Sequence, residues 1–200
     1  MRQGNLGGKK LSFPIIHIIG LPGAGKTTLA KKLSKKYNLP VFRIGEYRSK
    51  FPLSPIGEAN AWVALFQGLS RRKWRNCILE TTGLNRRESF LRTALPFAQM
   101  ATIKLEAPKK VIYKRIGEKS EGEQGGGWLF NVEYADKYEF VKKLYKEFKR
   151  LPAEIRIDTT KLSANKVYQA AIKELNARMI LYSSVTSTLK CRKICDRISS

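Results

Sequence analysis

Short apolar runs alternate with longer amphipathic stretches along most of this chain. The runs are rich in Ile, Leu and Val, and most are bounded by Gly, Pro or Asn, which is typical of buried strands. Five strands are predicted in this way, at residues 13–19, 41–44, 76–80, 100–106 and 154–158. Helices are predicted between and after them, beginning near residues 27, 54, 85, 108, 128 and 163. Strands that alternate with helices favour an α/β fold, with a doubly wound, mostly parallel sheet of about five strands.

Two features predict what the core of this fold contains. The only histidine, His17, lies inside the first apolar strand, so it is expected to be a packed residue and not a catalytic one. Ser54 and Pro55 open the second long helix as N-cap and first-turn residues. Apolar residues then repeat in this helix at helical spacing and are predicted to face the core: Ile56, Ala59, Val63, Phe66 and Leu69.

The junction between the first strand and the first helix carries the strongest chemical signal in the chain. It reads Gly20-Leu21-Pro22-Gly23-Ala24-Gly25-Lys26-Thr27-Thr28, a G-x-x-x-x-G-K-T motif of the phosphate-binding P-loop type. Glycines let successive backbone N–H groups turn toward phosphate oxygens, and the helix N-terminus favours the same negative charge. Lys26 supplies a mobile charge for the β- and γ-phosphates, and the Thr27 hydroxyl is a Mg²⁺ ligand. The motif therefore predicts binding of a nucleoside triphosphate, with ATP and Mg²⁺ as cofactors.

The charge of the chain bears on its partners. Its 200 residues carry 39 Lys and Arg against 16 Asp and Glu, a formal net charge of +23. This excess favours encounter with a polyanion such as nucleic acid, although a generally basic surface gives the same count. One domain is expected at residues 11–180, between a basic arm at 1–10 and a basic tail at 181–200.

Other compositional signals are weak or absent. No apolar run approaches the roughly 20 residues of a membrane span, and the first ten residues lack the apolar core of a secretory signal. Three cysteines are too few for a disulfide framework. We therefore expect a cytoplasmic protein, monomeric or weakly dimeric, with no membrane or protein partner evident.

Two carboxylates follow predicted strands near the P-loop. Because ligands lie outside the carboxyl ends of parallel strands, Glu46 and Glu80 are both expected at the crevice. Glu80 ends the third strand, where a Walker B carboxylate holds Mg²⁺ together with Thr27. Glu46 is a candidate for accepting the proton of an attacking hydroxyl, and Arg48 could pair with a substrate phosphate. An ordinary solvated ion pair is the alternative for Glu46 and Arg48.

Basic residues in the second half of the chain extend this picture. Arg86 and Arg87 begin the helix predicted from residue 85, where they can reach substrate phosphates or remain solvated. A Gly-rich segment at 117–127, flanked by Arg115, predicts either a lid that excludes water from the phosphates or a plain surface loop. The helix predicted at 128–151 interleaves lysines with aromatic residues, which suits a nucleic-acid backbone and base stacking, although a solvated amphipathic helix has the same pattern.

Three segments together resemble the small P-loop kinases: the P-loop, Gly45-Glu46-Tyr47-Arg48, and the run from Leu79 to Arg87. That group includes polynucleotide 5′-hydroxyl kinases, adenylylsulfate kinases and zeta-toxin-type kinases. Residues 157–163 are similar to the last strand and adenine-side loop of these enzymes. The chain also resembles the phage enzymes that phosphorylate hydroxymethyluracil within DNA.

The resemblance implies ATP-dependent transfer of the γ-phosphoryl group to a hydroxyl on DNA, RNA or a nucleotide, with Arg115 stabilising the transferring charge. Polynucleotide kinases show Asp-Asp-x-Arg after the second strand, whereas this chain has Gly45 at the first of those positions. Their Asp-x-Thr-Asn type of motif appears here as Glu80-Thr81-Thr82-Gly83. The general base therefore stays open between Glu46 and Glu80. The alternatives are a kinase for a small metabolite and a non-catalytic, nucleotide-gated module that binds nucleic acid.

Overall fold

A computed structural model describes residues 15–84, 100–118 and 137–178 of the chain. Five strands form one sheet: β1 (Ile15–Gly20), β2 (Val41–Arg43), β3 (Cys77–Thr81), β4 (Met100–Glu106) and β5 (Ile155–Asp158). The strand order is β2-β3-β1-β4-β5, and every neighbouring pair is parallel. The predicted α/β fold, a parallel sheet with the P-loop strand at its centre, is therefore confirmed.

Helices connect these strands along both faces of the sheet. They are α1 (Lys26–Tyr37), α2 (Ile44–Arg48), α3 (Pro55–Arg71), α4 (Lys109–Gly117), α5 (Lys137–Arg150) and α6 (164–178). The helices predicted near residues 27, 54, 108 and 163 are present. The short α2 was not predicted, because five residues are too few to show a helical period. None of the helices within the described ranges is long and apolar enough to cross a membrane.

Several predicted features lie outside the described residues. They are the helix predicted from residue 85 with Arg86 and Arg87, most of the Gly-rich segment at 117–127, the start of the helix predicted at 128–151, the basic arm and the basic tail.

Alternate residues of the central strand build the core on the two faces of the sheet. Ile16 and Ile18 of β1 belong to the cluster that packs against α1 and α6, whereas Ile15 belongs to the cluster under α3. His17, which lies between Ile16 and Ile18 in β1, is fully buried, and its Nε2 lies 2.7 Å from the Thr81 hydroxyl. The histidine is therefore a packed residue, as predicted.

The buried face of α3 differs from the predicted one. Ile56 is 73% exposed and Val63 is 53% exposed, whereas Ala61 and Leu65, which are not in the predicted set, are buried. Trp62 is also buried, as expected of a packing residue. The helix lies so close to β2 that a Cβ added at Gly68 would stand 2.7 Å from the Phe42 ring. Gly68 permits this close approach, which a pattern of apolar residues does not register. Leu69 is buried as expected.

The aromatic residues of α5 also have a different role from base stacking. Phe140 and Phe148 are buried in a cluster with Leu21, Ile112 and Ile116. Buried rings cannot stack on nucleic-acid bases, so the interleaved pattern there is that of an amphipathic helix, and the stacking interpretation is wrong for these two residues. Most lysines of α5 are exposed on the opposite side.

Candidate active site

The loop between β1 and α1 has the backbone of a phosphate cradle. Gly23 and Gly25 have φ angles of 74° and 95°, which residues with a side chain adopt only under strain. A Cβ at Gly23 would also lie 3.1 Å from the Ile112 carbonyl oxygen. Gly25 is the N-cap of α1, and no side chain caps the helix there. The first N–H groups of α1 therefore remain available to an anion held by the loop.

The side chains that follow the loop suit a magnesium–nucleotide complex. Lys26 Nζ donates to the Leu21 carbonyl oxygen at 3.2 Å, so the ammonium group lies across the loop. The Thr27 hydroxyl donates to Glu80 Oε1 at 2.8 Å. The Glu80 side chain is 8% exposed, at the end of β3. A hydroxyl beside a carboxylate is a hard-oxygen pair that suits Mg²⁺, which is held by few protein ligands and by phosphate oxygens. No larger group of acidic, His or Cys ligands occurs elsewhere in the described ranges.

Arg43 connects the P-loop to both candidate carboxylates, although sequence reasoning missed it. Its Nε donates to Glu80 Oε2 at 3.0 Å, and its Nη1 donates to Glu46 Oε1 at 2.8 Å. Its Nη2 lies 3.4 Å from the Thr27 hydroxyl oxygen. Arg43 and Glu80 meet because they are register partners in the β2–β3 pair. The sequence prediction considered residues that follow β2, whereas Arg43 is the last residue of β2 itself. The signal that could have identified Arg43 is the strand order, which places β2 beside β3.

Glu46 lies close to Glu80 through this arginine, but in a different environment. It stands in the first turn of α2, and its side chain is 55% exposed, in contrast to the buried Glu80. Glu80 accepts from both Thr27 and Arg43, so both of its oxygens have donors. The structure thus brings the two carboxylates to one guanidinium group. Glu46, the more exposed of the two, is therefore better placed to contact an acceptor that arrives from solution.

Arg48 pairs with a residue that the sequence did not single out. Its Nε and Nη2 donate to the two carboxylate oxygens of Glu58 at 2.7 and 2.6 Å. This pair connects α2 to α3, and within α3 Trp62 Nε1 donates to Glu58 Oε1 at 2.8 Å. Neither the substrate contact expected of Arg48 nor a solvated pair with Glu46 describes this arrangement. The role of Arg48 in substrate binding stays a prediction.

A cavity of about 350 Å³ lies on the other side of the P-loop, which is the size of a small-ligand site. Its lining comes from the P-loop, α1, the end of α4 and the segment after β5: Gly23, Ala24, Gly25, Thr28, Leu29, Arg115, Glu118, Thr159, Leu162, Ala164 and Val167. Of the lining residues after β5, Thr159 and Leu162 lie within residues 157–163, for which the resemblance implies an adenine-side loop, and Ala164 and Val167 belong to α6.

Arg115 forms a wall of this cavity. It lies in the last turn of α4, before the Gly-rich segment and not within it. Its Nη1 donates to Thr159 Oγ1 at 2.9 Å and its Nη2 donates to the Thr159 carbonyl oxygen at 2.5 Å. These bonds hold the guanidinium group against the segment that follows β5. A part in stabilising the transferring charge stays a prediction.

Known proteins share this fold at low sequence identity. Residues 19–47 match a family model described as an AAA domain, and no curated protein matches the chain significantly in sequence. A gluconokinase from Sinorhizobium meliloti superposes with a TM-score of 0.60 at 15% identity, over 88% of this chain and 97% of that one. A shikimate kinase from Bacteroides thetaiotaomicron gives 0.54 at 13% identity, over 85% and 98% of the two chains.

The thymidylate kinase of Candida albicans superposes with a TM-score of 0.54 at 18% identity, over 84% of this chain and 92% of that one. The protein therefore has the fold of the small P-loop kinases.

Proposed function

We propose that this protein is an ATP- and Mg²⁺-dependent kinase that transfers the γ-phosphoryl group to a hydroxyl of nucleic acid or of a nucleotide. The observation that carries the proposal is the 2.8 Å contact between Thr27 and Glu80, directly behind a glycine loop that ends in Lys26. This arrangement pairs a phosphate cradle with a magnesium-holding oxygen pair, as phosphoryl transfer requires.

Each group has a role in this proposal. The loop N–H groups and Lys26 bind the β- and γ-phosphates and offset the charge that develops on them. Thr27 and Glu80 would hold Mg²⁺, which would supply positive charge to offset that of the phosphates. Arg43 would have to move away from Thr27 if a divalent cation were held there, because its guanidinium group and the cation would repel each other at this distance. Glu46 orients the acceptor hydroxyl and takes its proton.

The remaining predicted residues contribute at the edges of the site. Arg115 fixes the segment after β5, which would border the nucleoside, and is the candidate for contact with the transferring phosphoryl group. Arg48, Arg86 and Arg87 are the candidate contacts to the acceptor. Because the transition state is loose, positioning and electrostatics account for most of the expected rate enhancement.

The acceptor follows from charge and from resemblance. A net charge of +23 favours a polyanionic acceptor, and the phage hydroxymethyluracil kinases resembled by the chain act on DNA. Two of the structural neighbours favour a second candidate, because they are a gluconokinase and a shikimate kinase. A kinase for a small metabolite is therefore the competing function.

Transfer of label from γ-labelled ATP decides between them. The protein would be incubated with DNA that contains hydroxymethyluracil, with 5′-hydroxyl DNA and RNA, with nucleotides, and with gluconate and shikimate. We expect label on an oligonucleotide or a nucleotide, and about 10³-fold slower labelling with the Lys26→Ala variant. Label on gluconate or shikimate alone would favour the metabolite kinase, and nucleotide-dependent binding of DNA without any transfer would favour a non-catalytic module.

A further inference from the structure

The turn between α3 and β3 lies at the edge of the sheet opposite the P-loop. We call residues 71–75 the basic turn. Four of its five residues are cationic and exposed: Arg71, Arg72, Lys73 and Arg75. Trp74, the fifth, is partly buried and packs against Phe66 with 6.1 Å between the ring centroids. The turn therefore presents four positive charges on a fixed backbone.

The backbone of the basic turn favours glycine where the chain has lysine. The Lys73 N–H donates to the Ser70 carbonyl oxygen at 2.7 Å, and the Trp74 N–H donates to the Leu69 carbonyl oxygen at 3.0 Å. This pair of bonds is the Schellman motif, in which the position of Lys73 is usually glycine. Lys73 has a φ angle of 54°, in the left-handed region, and so do Trp74 and Asn76. The Trp74 ring supplies the apolar contact of this motif, but nothing in the packing explains a lysine beside it.

The charges of the basic turn also lack internal compensation. Across residues 15–84, 100–118 and 137–178, no carboxylate forms an ion pair with Arg71, Arg72, Lys73 or Arg75. Four like charges within five residues repel one another, and an external anion relieves that repulsion. A strained lysine inside an uncompensated cationic cluster indicates a surface for a polyanion.

The position of the turn restricts the length of that polyanion. Helix α3 leads from the segment after α2, at the crevice edge, to the start of β3, at the opposite edge. Its 17 residues correspond to roughly 25 Å at 1.5 Å per residue. In a duplex each strand advances 3.4 Å per nucleotide, so about seven or eight base pairs are needed to span this distance. A metabolite or a mononucleotide is too short.

We propose that the basic turn binds the phosphate backbone of nucleic acid and anchors a polymeric acceptor while one of its hydroxyls occupies the active site. The anchoring role rests on the proposed function, whereas the binding of nucleic acid at the turn does not. Trp74 is committed to packing, so the contact is to phosphates and carries no base preference.

The binding test uses the full chain and a labelled 20-nucleotide single strand in a salt series. Each phosphate contact contributes about 0.7 to the slope of log affinity against log salt. Arg72→Gln/Arg75→Gln should therefore flatten the slope by roughly 1.4, and Lys73→Gly by roughly 0.7. Lys73→Gly should also unfold at a higher temperature than the wild type, because glycine relieves the strained φ angle. This combination separates lost binding from lost folding.

The matched control removes two exposed lysines of α6, Lys166→Gln/Lys173→Gln, from the other end of the strand order. Its slope should equal that of the wild type. Equal flattening by both double variants would overturn the proposal in favour of general basicity. A wild-type slope in Lys73→Gly, or turn-dependent binding to anionic lipid vesicles without an effect on DNA, would overturn it as well.

A length series of the acceptor separates this inference from the proposed function. In the wild type, KM should fall once a duplex oligonucleotide exceeds about eight base pairs, whereas Arg72→Gln/Arg75→Gln should show no such fall. Transfer with the same length dependence in both proteins would refute the anchor and leave the kinase intact. Turn-dependent binding without transfer to any oligonucleotide would refute the proposed function and leave the phosphate-binding turn intact.

Discussion

The two sides of the crevice, one proposed for the nucleotide and one for the acceptor, are built from different groups. The nucleotide side consists of the glycine loop, the first N–H groups of α1 and a buried carboxylate, so backbone geometry sets most of it. The acceptor side consists of Arg43, Glu46 and Arg48, which pair with one another or with Glu58. A cradle of backbone groups is preorganised for one ligand, whereas ion pairs between side chains can exchange when a substrate arrives. The difference predicts that substitutions on the two sides act on different steps.

Replacement of Lys26 should have the largest effect. Lys26→Ala removes a full charge from the phosphates in the transition state, and we expect kcat to fall by about 10³-fold. The melting temperature should change little, because Lys26 Nζ contacts the loop carbonyl and is only partly buried. Initial rates at saturating ATP and thermal unfolding of the same samples measure the two quantities. Turnover near that of the wild type would contradict the P-loop assignment.

Substitutions of the two carboxylates, Glu46 and Glu80, should have different effects, because they lie on different sides of the crevice. Glu46→Gln should lower kcat by about 10²-fold at an unchanged Mg²⁺ requirement, because it removes the proton acceptor. Glu80→Gln should instead raise the Mg²⁺ concentration needed for half-maximal rate, since the amide keeps the hydrogen bond from Thr27 but lacks the charge. Rate measured against Mg²⁺ concentration distinguishes them. If the two variants exchange these behaviours, Glu80 is the base.

The nucleotide side was predictable because its signals are local. Nine consecutive residues, from Gly20 to Thr28, specify both the loop and the helix that follows it, and the apolar strand before them specifies their place in the sheet. Glu80 could be placed for the same reason, because it ends an apolar run beside the central strand. Local sequence therefore accounts for most of the nucleotide half of the site.

The acceptor side was less predictable because its contacts join distant segments. The contact between Arg43 and Glu80 depends on the β2–β3 register, and the contact between Arg48 and Glu58 depends on how α2 packs on α3. The orientation of α3 depends in turn on close packing at Gly68, which apolar periodicity does not register. Such contacts become visible only once strand order and helix packing are known.

Removal of Arg43 should show how the two sides are coupled. Its guanidinium group lies 3.4 Å from the Thr27 oxygen and 3.0 Å from Glu80, where it would compete with Mg²⁺. In Arg43→Gln, the gain in ADP affinity on adding Mg²⁺ should therefore exceed that of the wild type by roughly tenfold. Calorimetric titrations of ADP, with Mg²⁺ or with EDTA, measure this gain without any transfer reaction.

Glu46→Gln is the control for this measurement. It removes a partner of Arg43 but leaves the guanidinium group beside Thr27, so its gain should stay close to that of the wild type. A gain in Arg43→Gln that equals or falls below the wild-type value would mean that Arg43 does not oppose the metal.

Arg48 should give the smallest effect and decide whether the acceptor side contains a substrate contact or a structural one. With both side chains only about one-fifth exposed, loss of the bidentate pair should lower the free energy of unfolding by about 1–2 kcal/mol. If the pair is structural, Arg48→Met, Glu58→Gln and the double variant should be destabilised to similar extents, because the second substitution removes nothing further. Their acceptor KM values should then change together.

A rise in KM confined to Arg48→Met, with stability unchanged, would instead assign Arg48 to the substrate. Denaturant unfolding and acceptor saturation curves on the three variants separate these outcomes, and Arg48→Lys tests whether charge alone suffices without the bidentate geometry.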